Sequence, residues 1–297
     1  MSESVRPTVM LDGLALPKCP RWHEGRLWFS DMHDGRVWAM TEDGQAEPVI
    51  TIDDQPGGLG WLPDGRLLVV SMLGHALLRL DDDGLTEVAD LERFSLHPWN
   101  DMVVTPQGRA YVGNYGHDAE RGDEPAGAQM VCIEPDGEAW VVAEQLLFPN
   151  GATVLEQPDG LSTLLVAETF GQRISAYDLE SDGSLSNPRV WADLRPNVPD
   201  GICLDAEGAL WVADPVYNGV MRIVPAEGTV DWVSTGDRSA FSCVLGGSDR
   251  RTLFITTGLS TNPAKTMTNR AGRIEAVRVR VPAAGSAADE GGTQEGQ

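Results

Sequence analysis

Six residues recur at one place in a repeated pattern: Lys18 of KCPRW, Gly57 of GGLGW, Asn100 of NDMVV, Asn150 of NGATV, Asp200 of DGICL and Ser242 of SCVLG. Each opens a short apolar run that leads through a turn into a second such run, and the second runs end on Asp31, Ser71, Asn114, Glu168, Asp214 and Thr257. Carboxylate, amide and hydroxyl oxygens are the donors a hard cation such as calcium or magnesium prefers, and carboxylate with amide also suits manganese or ferrous iron. Asp and Asn before Gly are also ordinary turn residues. FPNG (148–151) and VPDG (198–201) are equivalent lead-ins that both follow Pro, and for these two a site outweighs a turn. Lys18 is the cation of the set. In a partly desolvated channel its pKa falls, which favours nucleophilic or proton-transfer chemistry, while a nearby Asp200 opposes that fall.

The elements that must carry these residues follow from a second repeat. GRLWFSD (25–31) has close relatives at 65–71 (GRLLVVS), 108–114 (GRAYVGN), 162–168 (STLLVAE), 208–214 (GALWVAD) and 251–257 (RTLFITT). Self-similarity at a period of roughly 40–50 residues marks a propeller or solenoid. Each copy is a turn followed by apolar or β-branched residues, a buried strand too short for a helix. Turn dipeptides such as Asp64-Gly65, Gln107-Gly108 and Glu207-Gly208 separate the two strands of a hairpin. Six copies predict an all-β, six-bladed β-propeller with four-stranded antiparallel blades. First strands line the central channel of a propeller, so the six lead-in residues are expected at one axial opening.

Thr8 to Asp12 reads as a strand, and the run from Gly272 to Val281 alternates with period two; the two ends are expected to meet in the last blade and close the ring. The expected organisation is a frayed segment 1–8, a propeller over 9–282 and a disordered tail over 283–297, which has too little apolar surface to offset ordering. Loops 115–128 and 259–272 exceed hairpin length and are polar, so each is either a lid or surface slack. Tyr115 and His117 sit in the first and either reach over the channel mouth or, as the safer expectation, lie exposed at the surface. His23 and His33 receive no role. Cys19 follows Lys18 on a strand and is expected on the opposite face. Trp22, Trp61, Trp140, Trp191, Trp211 and Trp232 are expected to pack between blades.

A net charge of −23 excludes a nucleic-acid partner, which needs clustered Lys and Arg, and repels anionic membranes. The four cysteines lack CxxC spacing, so neither a zinc site nor a disulfide framework is indicated. No apolar run approaches the ~18 residues of a membrane span, and no secretory signal opens the chain. A soluble, cytoplasmic protein with a small-molecule substrate is expected.

Over about residues 10–282 the sequence resembles the senescence marker protein, regucalcin and gluconolactonase family, through PRWHEGRLWFSD, WNDMVVTPQGRAYVGN, FPNGATV, LLVAETFGQRISAYDL, PDGICLDAEGALWVADP and RIEAVRV. The resemblance implies a six-bladed propeller with one divalent metal, held by the Glu of an E-x-P-x-W lead-in, the Asn of P-N-G and the Asp of P-D-G. Carried over, Asn150 and Asp200 are metal ligands and Asn100 is a neighbour that touches substrate or a metal-bound water. Lys18 stands where the family has its Glu. An ammonium beside a divalent ion is repelled by several kcal/mol at an effective dielectric of ~20, which weakens the site for calcium, zinc, manganese, magnesium or iron. The family's sugar-binding Arg is replaced by Pro98, flanked by His97 and Trp99, which makes the pocket more aromatic.

The function implied is hydrolysis of a lactone or related cyclic ester. Asp200 is the base and Lys18 the stabiliser of the oxyanion; Asn100, His97, Trp99, Asn114, Tyr115 and Glu168 lie on the substrate side. The alternatives are metal-free lyase, isomerase or aldolase chemistry at Lys18, a non-catalytic propeller that binds a small molecule, and a structural Lys18–Asp200 ion pair in a decayed site.

Overall fold

In the computed structural model, which describes residues 6–117, 126–157, 160–225 and 227–285, the six repeated runs are the second strands of six four-stranded antiparallel sheets. After β1 (Thr8–Leu14), the first blade is β2 (Pro17–His23), β3 (Arg26–Asp31), β4 (Arg36–Thr41) and β5 (Ala46–Thr51). The second is β6 (Pro56–Trp61), β7 (Leu67–Ser71), β8 (Ala76–Asp81) and β9 (Gly84–Asp90). The third is β10 (Trp99–Val104), β11 (Ala110–Asn114), β12 (Ala128–Ile133) and β13 (Ala139–Leu146). The fourth is β14 (Pro149–Glu156), β15 (Ser162–Glu168), β16 (Arg173–Leu179) and β17 (Leu185–Asp193). The fifth is β18 (Ile202–Leu204), β19 (Leu210–Asp214), β20 (Gly219–Val224) and β21 (Gly228–Ser234). The sixth joins β22 (Ser239–Gly246), β23 (Thr252–Gly258) and β24 (Gly272–Arg278) to β1 as its outer strand.

The chain is therefore a six-bladed propeller. β1 pairs antiparallel with β24 from Thr8 opposite Ala276 to Leu14 opposite Gly272, so the expected clasp is present and its strand runs two residues beyond Asp12. The first strands adjoin one another in the order β2, β6, β10, β14, β18, β22 and back to β2. They form the inner ring, with apolar layers packed between successive blades. Trp22 stacks on Phe254 of the sixth blade at 5.4 Å, and Trp61 lies edge-on to Trp28 of the first at 5.5 Å.

Each of five inner strands carries a register slip directly behind its lead-in: between Lys18 and Arg21, Pro56 and Leu59, Trp99 and Met102, Pro149 and Ala152, and Ala240 and Ser242. A bulge inserts an extra residue and re-aims side chains. It places Cys19 at φ 49, a left-handed backbone angle outside regular strand geometry. It also moves the sixth lead-in: Ala240 lies opposite Thr257 as Pro17 lies opposite Asp31, so Phe241, not Ser242, matches Lys18. The backbone links agree, since Gly151 N donates to Asp200 O and Gly201 N donates to Phe241 O. The inner ring is tight at these turns. A Cβ on Gly201 would lie 1.8 Å from Ser242 Oγ, and one on Gly151 2.6 Å from Ile202 N. Gly201→Ala is expected to lower stability by about 1–3 kcal/mol through overpacking, read as a lower urea midpoint at unchanged slope; an unaltered midpoint means the ring yields freely there.

Segment 259–272 is not only polar loop. It contains a short helix α1 (Pro263–Asn269), whose N-cap Asn262 accepts from Lys265 N, followed by Arg270, which holds Asp34 at 3.1 and 3.0 Å. Of the other long loop, residues 118–125 lie outside the described residues. At the C-terminal end Ala283 bridges Asp205 and Ala284 N donates to Leu204 O, so the chain stays attached just past 282; residues 286–297 lie outside the described residues. No helix among the described residues is long and apolar enough to cross a membrane.

Candidate functional site

The second strands end on the buried oxygens expected of them, but these fasten loops. Glu168 accepts from Arg173 at 2.9 and 3.0 Å, from Leu147 N at 2.8 Å and from Ser175. Asp31 accepts from Ala15 N and Leu16 N, and Asp214 from the Val198, Val216 and Tyr217 amides and from Asn197. Glu168 is fully buried with its oxygens engaged in this way, and the substrate contact expected of it is not what its surroundings provide. Trp99 likewise turns from the axis, into the apolar core with Met72, Leu91 and Met102. Neighbours on a strand face opposite ways, so a Trp beside an inward Asn points to the core. His97 and Asn114 line a cavity of about 490 Å³ with Phe94, Leu96, Gln129 and Glu144, a lining that includes neither Lys18 nor Asp200.

The inner ring does converge. Lys18 Nζ donates to both oxygens of Asp200, at 2.7 and 2.8 Å, joining the first blade to the fifth. Both side chains are over nine-tenths buried, with 9% and 8% exposed. Nζ also sits 5.3 Å from the Phe241 ring centre. Burial pushes the Asp200 carboxyl above the usual carboxylate range; the Lys18 charge and hydrogen bonds from Lys18 and Asn150 pull it back, and Asp101 pushes it up. Asn150 also donates to Thr169 Oγ1 at 3.3 Å. Asn100 donates through Nδ2 to Pro149 O at 3.1 Å, while its buried Oδ1 has no partner among the described residues. An unmatched buried acceptor costs roughly 1–3 kcal/mol and marks a place where a donor is wanted.

Of the neighbouring residues, Asp101 was not singled out from the sequence. Asp101, turned inward by the bulge behind Asn100, pairs with Arg21 at 2.5 Å. Cys19 is buried, and its thiol is pushed up by burial first and by Asp101 next. Burial, then the fields of Asp200 and Cys19, raise the Tyr115 phenol. His33 bonds Thr266 Oγ1 of α1 at 2.7 Å, and burial followed by the Lys18 charge lowers its pKa to about 4. Nothing in MHDGR distinguishes such a His from a turn residue.

The linkage at His33 has a definite sign. Its folded pKa lies below the unfolded value near 6.5, so between 6.5 and about 4 the unfolded chain binds a proton that the folded chain refuses. Stability is expected to fall as pH drops through that window, and His33→Gln to flatten the dependence. Denaturant midpoints at successive pH values check this; identical slopes in the two proteins would assign the dependence elsewhere.

The residues present do not fit a divalent metal. Lys18 Nζ already occupies both oxygens of Asp200, with positive charge where a cation would sit. Asn100 and Asn150 are neutral amides, and among the described residues no three His, Cys, Asp or Glu side chains converge as a ligand group. A hard cation with six to eight oxygen ligands is not served by that set. What the arrangement offers is a buried carboxylate held by a fixed ammonium, with the Asn150 amide hydrogen-bonded to that carboxylate.

The family described as SMP-30/Gluconolactonase/LRE-like region matches residues 16–259. A 6-deoxy-6-sulfogluconolactonase of Pseudomonas putida is 24% identical over 290 residues, covering 95% of this chain and 97% of that protein. Regucalcin of Xenopus laevis is 25% identical over 258 residues, 84% of this chain and 85% of its own. The crystal structure of a calcium-binding regucalcin from Agrobacterium tumefaciens superposes with a TM-score of 0.77 at 19% identity, covering 94% of this chain and 95% of the other. That last likeness concerns the fold alone.

Proposed function

The chain belongs to the SMP-30/Gluconolactonase/LRE-like family, and we propose that it is a lactonase-type hydrolase whose axial site works through Lys18 and Asp200 without a metal. The observation that carries this reading is the buried two-oxygen grip of Lys18 on Asp200, with Asn150 hydrogen-bonded to the same carboxylate. A carboxylate raised by burial is a better base near neutral pH than an exposed one. Asp200 takes a proton from water, and the hydroxide adds to the lactone carbonyl. An ammonium has three N–H donors, of which Asp200 engages two; the third is free to meet the developing oxyanion. Collapse breaks the ring C–O bond, and the departing alkoxide takes the proton from Asp200, leaving a hydroxy acid. Asn100, through its unmatched Oδ1, accepts a substrate or water hydrogen.

Amine chemistry at Lys18 is the weaker reading, because both oxygens of Asp200 already hold the nitrogen at 2.7 and 2.8 Å and a substrate carbonyl would have to displace that grip. Borohydride trapping of a substrate carbonyl on Lys18 would reverse that preference. The main test is proton release from γ- and δ-lactones by protein treated with chelator. Turnover is expected to be unchanged by the treatment. Activity lost on chelation and regained with calcium, zinc or manganese would overturn the metal-free reading.

A further inference from the structure

Four aromatic rings form a continuous wall beside the axial pair. Tyr115 and His117, following β11, meet Phe148, preceding β14, at 4.4 and 5.5 Å between ring centres. Phe148 stacks on Phe170 at 5.0 Å, and His117 reaches Phe170 at 5.4 Å. The inner end is tied to the site. Phe148 is two residues from Asn150, Tyr115 N donates to Pro98 O, and Pro149 O accepts from Asn100; Tyr115 also lies in the field of Asp200. The outer end is open, since Phe170 is 48% exposed. Leu147, Val216 and Leu259 are exposed on loops at this same end of the blades.

The wall is held at a backbone cost. Phe148 has φ 59, a region a bulky side chain rarely adopts, and Thr169 N donating to Phe148 O fixes it there. Strain of this kind persists where the surroundings over-determine it and clusters at ligand clamps. The ring faces present little hydrogen-bonding capacity, so a polyhydroxylated lactone would desolvate hydroxyls against them without return. A flat or apolar substituent would instead gain a stacked contact and buried area.

Resting on the hydrolase reading above, we infer that the substrate is a lactone bearing an aromatic or extended apolar substituent, which lies along Tyr115, Phe148 and Phe170 while its carbonyl meets Lys18. The test compares dihydrocoumarin and phenyl-γ-butyrolactone with δ-gluconolactone on wild type, Phe170→Ala and Leu73→Ala, the last an exposed leucine of the second blade. Wild type is expected to favour the aryl lactones at least about tenfold in kcat/KM. Phe170→Ala is expected to reduce that ratio about tenfold, largely through KM, and Leu73→Ala to leave it unaltered. Preference for gluconolactone, or a ratio indifferent to Phe170→Ala, overturns the inference while leaving the hydrolase reading intact. If no lactone is opened, the hydrolase reading fails by itself, and calorimetry with the aryl lactam 3,4-dihydroquinolin-2-one decides the pocket. Binding weakened about tenfold in Phe170→Ala supports the inference, and absence of binding overturns it.

Discussion

Asp200→Asn is expected to lower kcat for lactone opening by about 10²–10⁴-fold, the usual contribution of a positioned base. Asn is close in shape and keeps an acceptor toward Lys18, so a circular-dichroism spectrum matching wild type accompanies the loss. The wild-type pH profile carries the same signature. The base works when deprotonated, and its pKa is raised, chiefly by burial; the rate therefore climbs with pH through a midpoint above the ordinary Asp range. Asp200→Asn abolishes that limb. A variant that turns over at the wild-type rate would move the base elsewhere and leave the Lys18–Asp200 pair as a structural tie between blades.

The propeller was legible because its information is local and repeated. A turn dipeptide followed by an apolar run, six times over, fixes strand, hairpin and blade number, and the two ends advertise the clasp through period-two alternation. Lys18, Asn100, Asn150 and Asp200 were legible for the same reason, as equivalent positions of a repeat. What escaped depends on single-residue register. A bulge in five of the six inner strands changes which side chain faces inward, and no residue type announces it; hence the sixth position reads as Ser242 when it is Phe241. The ends of the second strands misled in another way. Glu168 and Asp214 sit at the predicted ring, yet Glu168 is consumed by Arg173, Ser175 and the Leu147 amide and Asp214 by Asn197 and loop amides, a partner set visible only once those segments are placed. Phe148 and Phe170 lie 22 residues apart in the chain and meet because β14 and β15 pair antiparallel, Pro149 opposite Glu168, which brings the residues flanking that end of the hairpin together.

Lys18→Met separates what the pair does for the fold from what it does for chemistry. Removing the ammonium leaves Asp200 buried without its counter-charge, which is expected to cost about 3–5 kcal/mol of stability. The double variant Lys18→Met/Asp200→Leu removes both charges and replaces them with apolar volume, a change that is often neutral or stabilising, so its unfolding midpoint should return toward wild type. Activity should not return with it, because neither base nor oxyanion donor remains. Recovery of both stability and turnover in the double variant would deny the pair any catalytic part. Lys18→Glu asks the complementary question. It swaps the ammonium for a second carboxylate facing Asp200. Two like charges at that distance destabilise the empty site and invite a cation. Elemental analysis is expected to find about one divalent ion bound per chain of the variant and none in wild type; a loaded wild type would mean that Lys18 swings clear of Asp200 and that a metal, not the ammonium, faces the substrate.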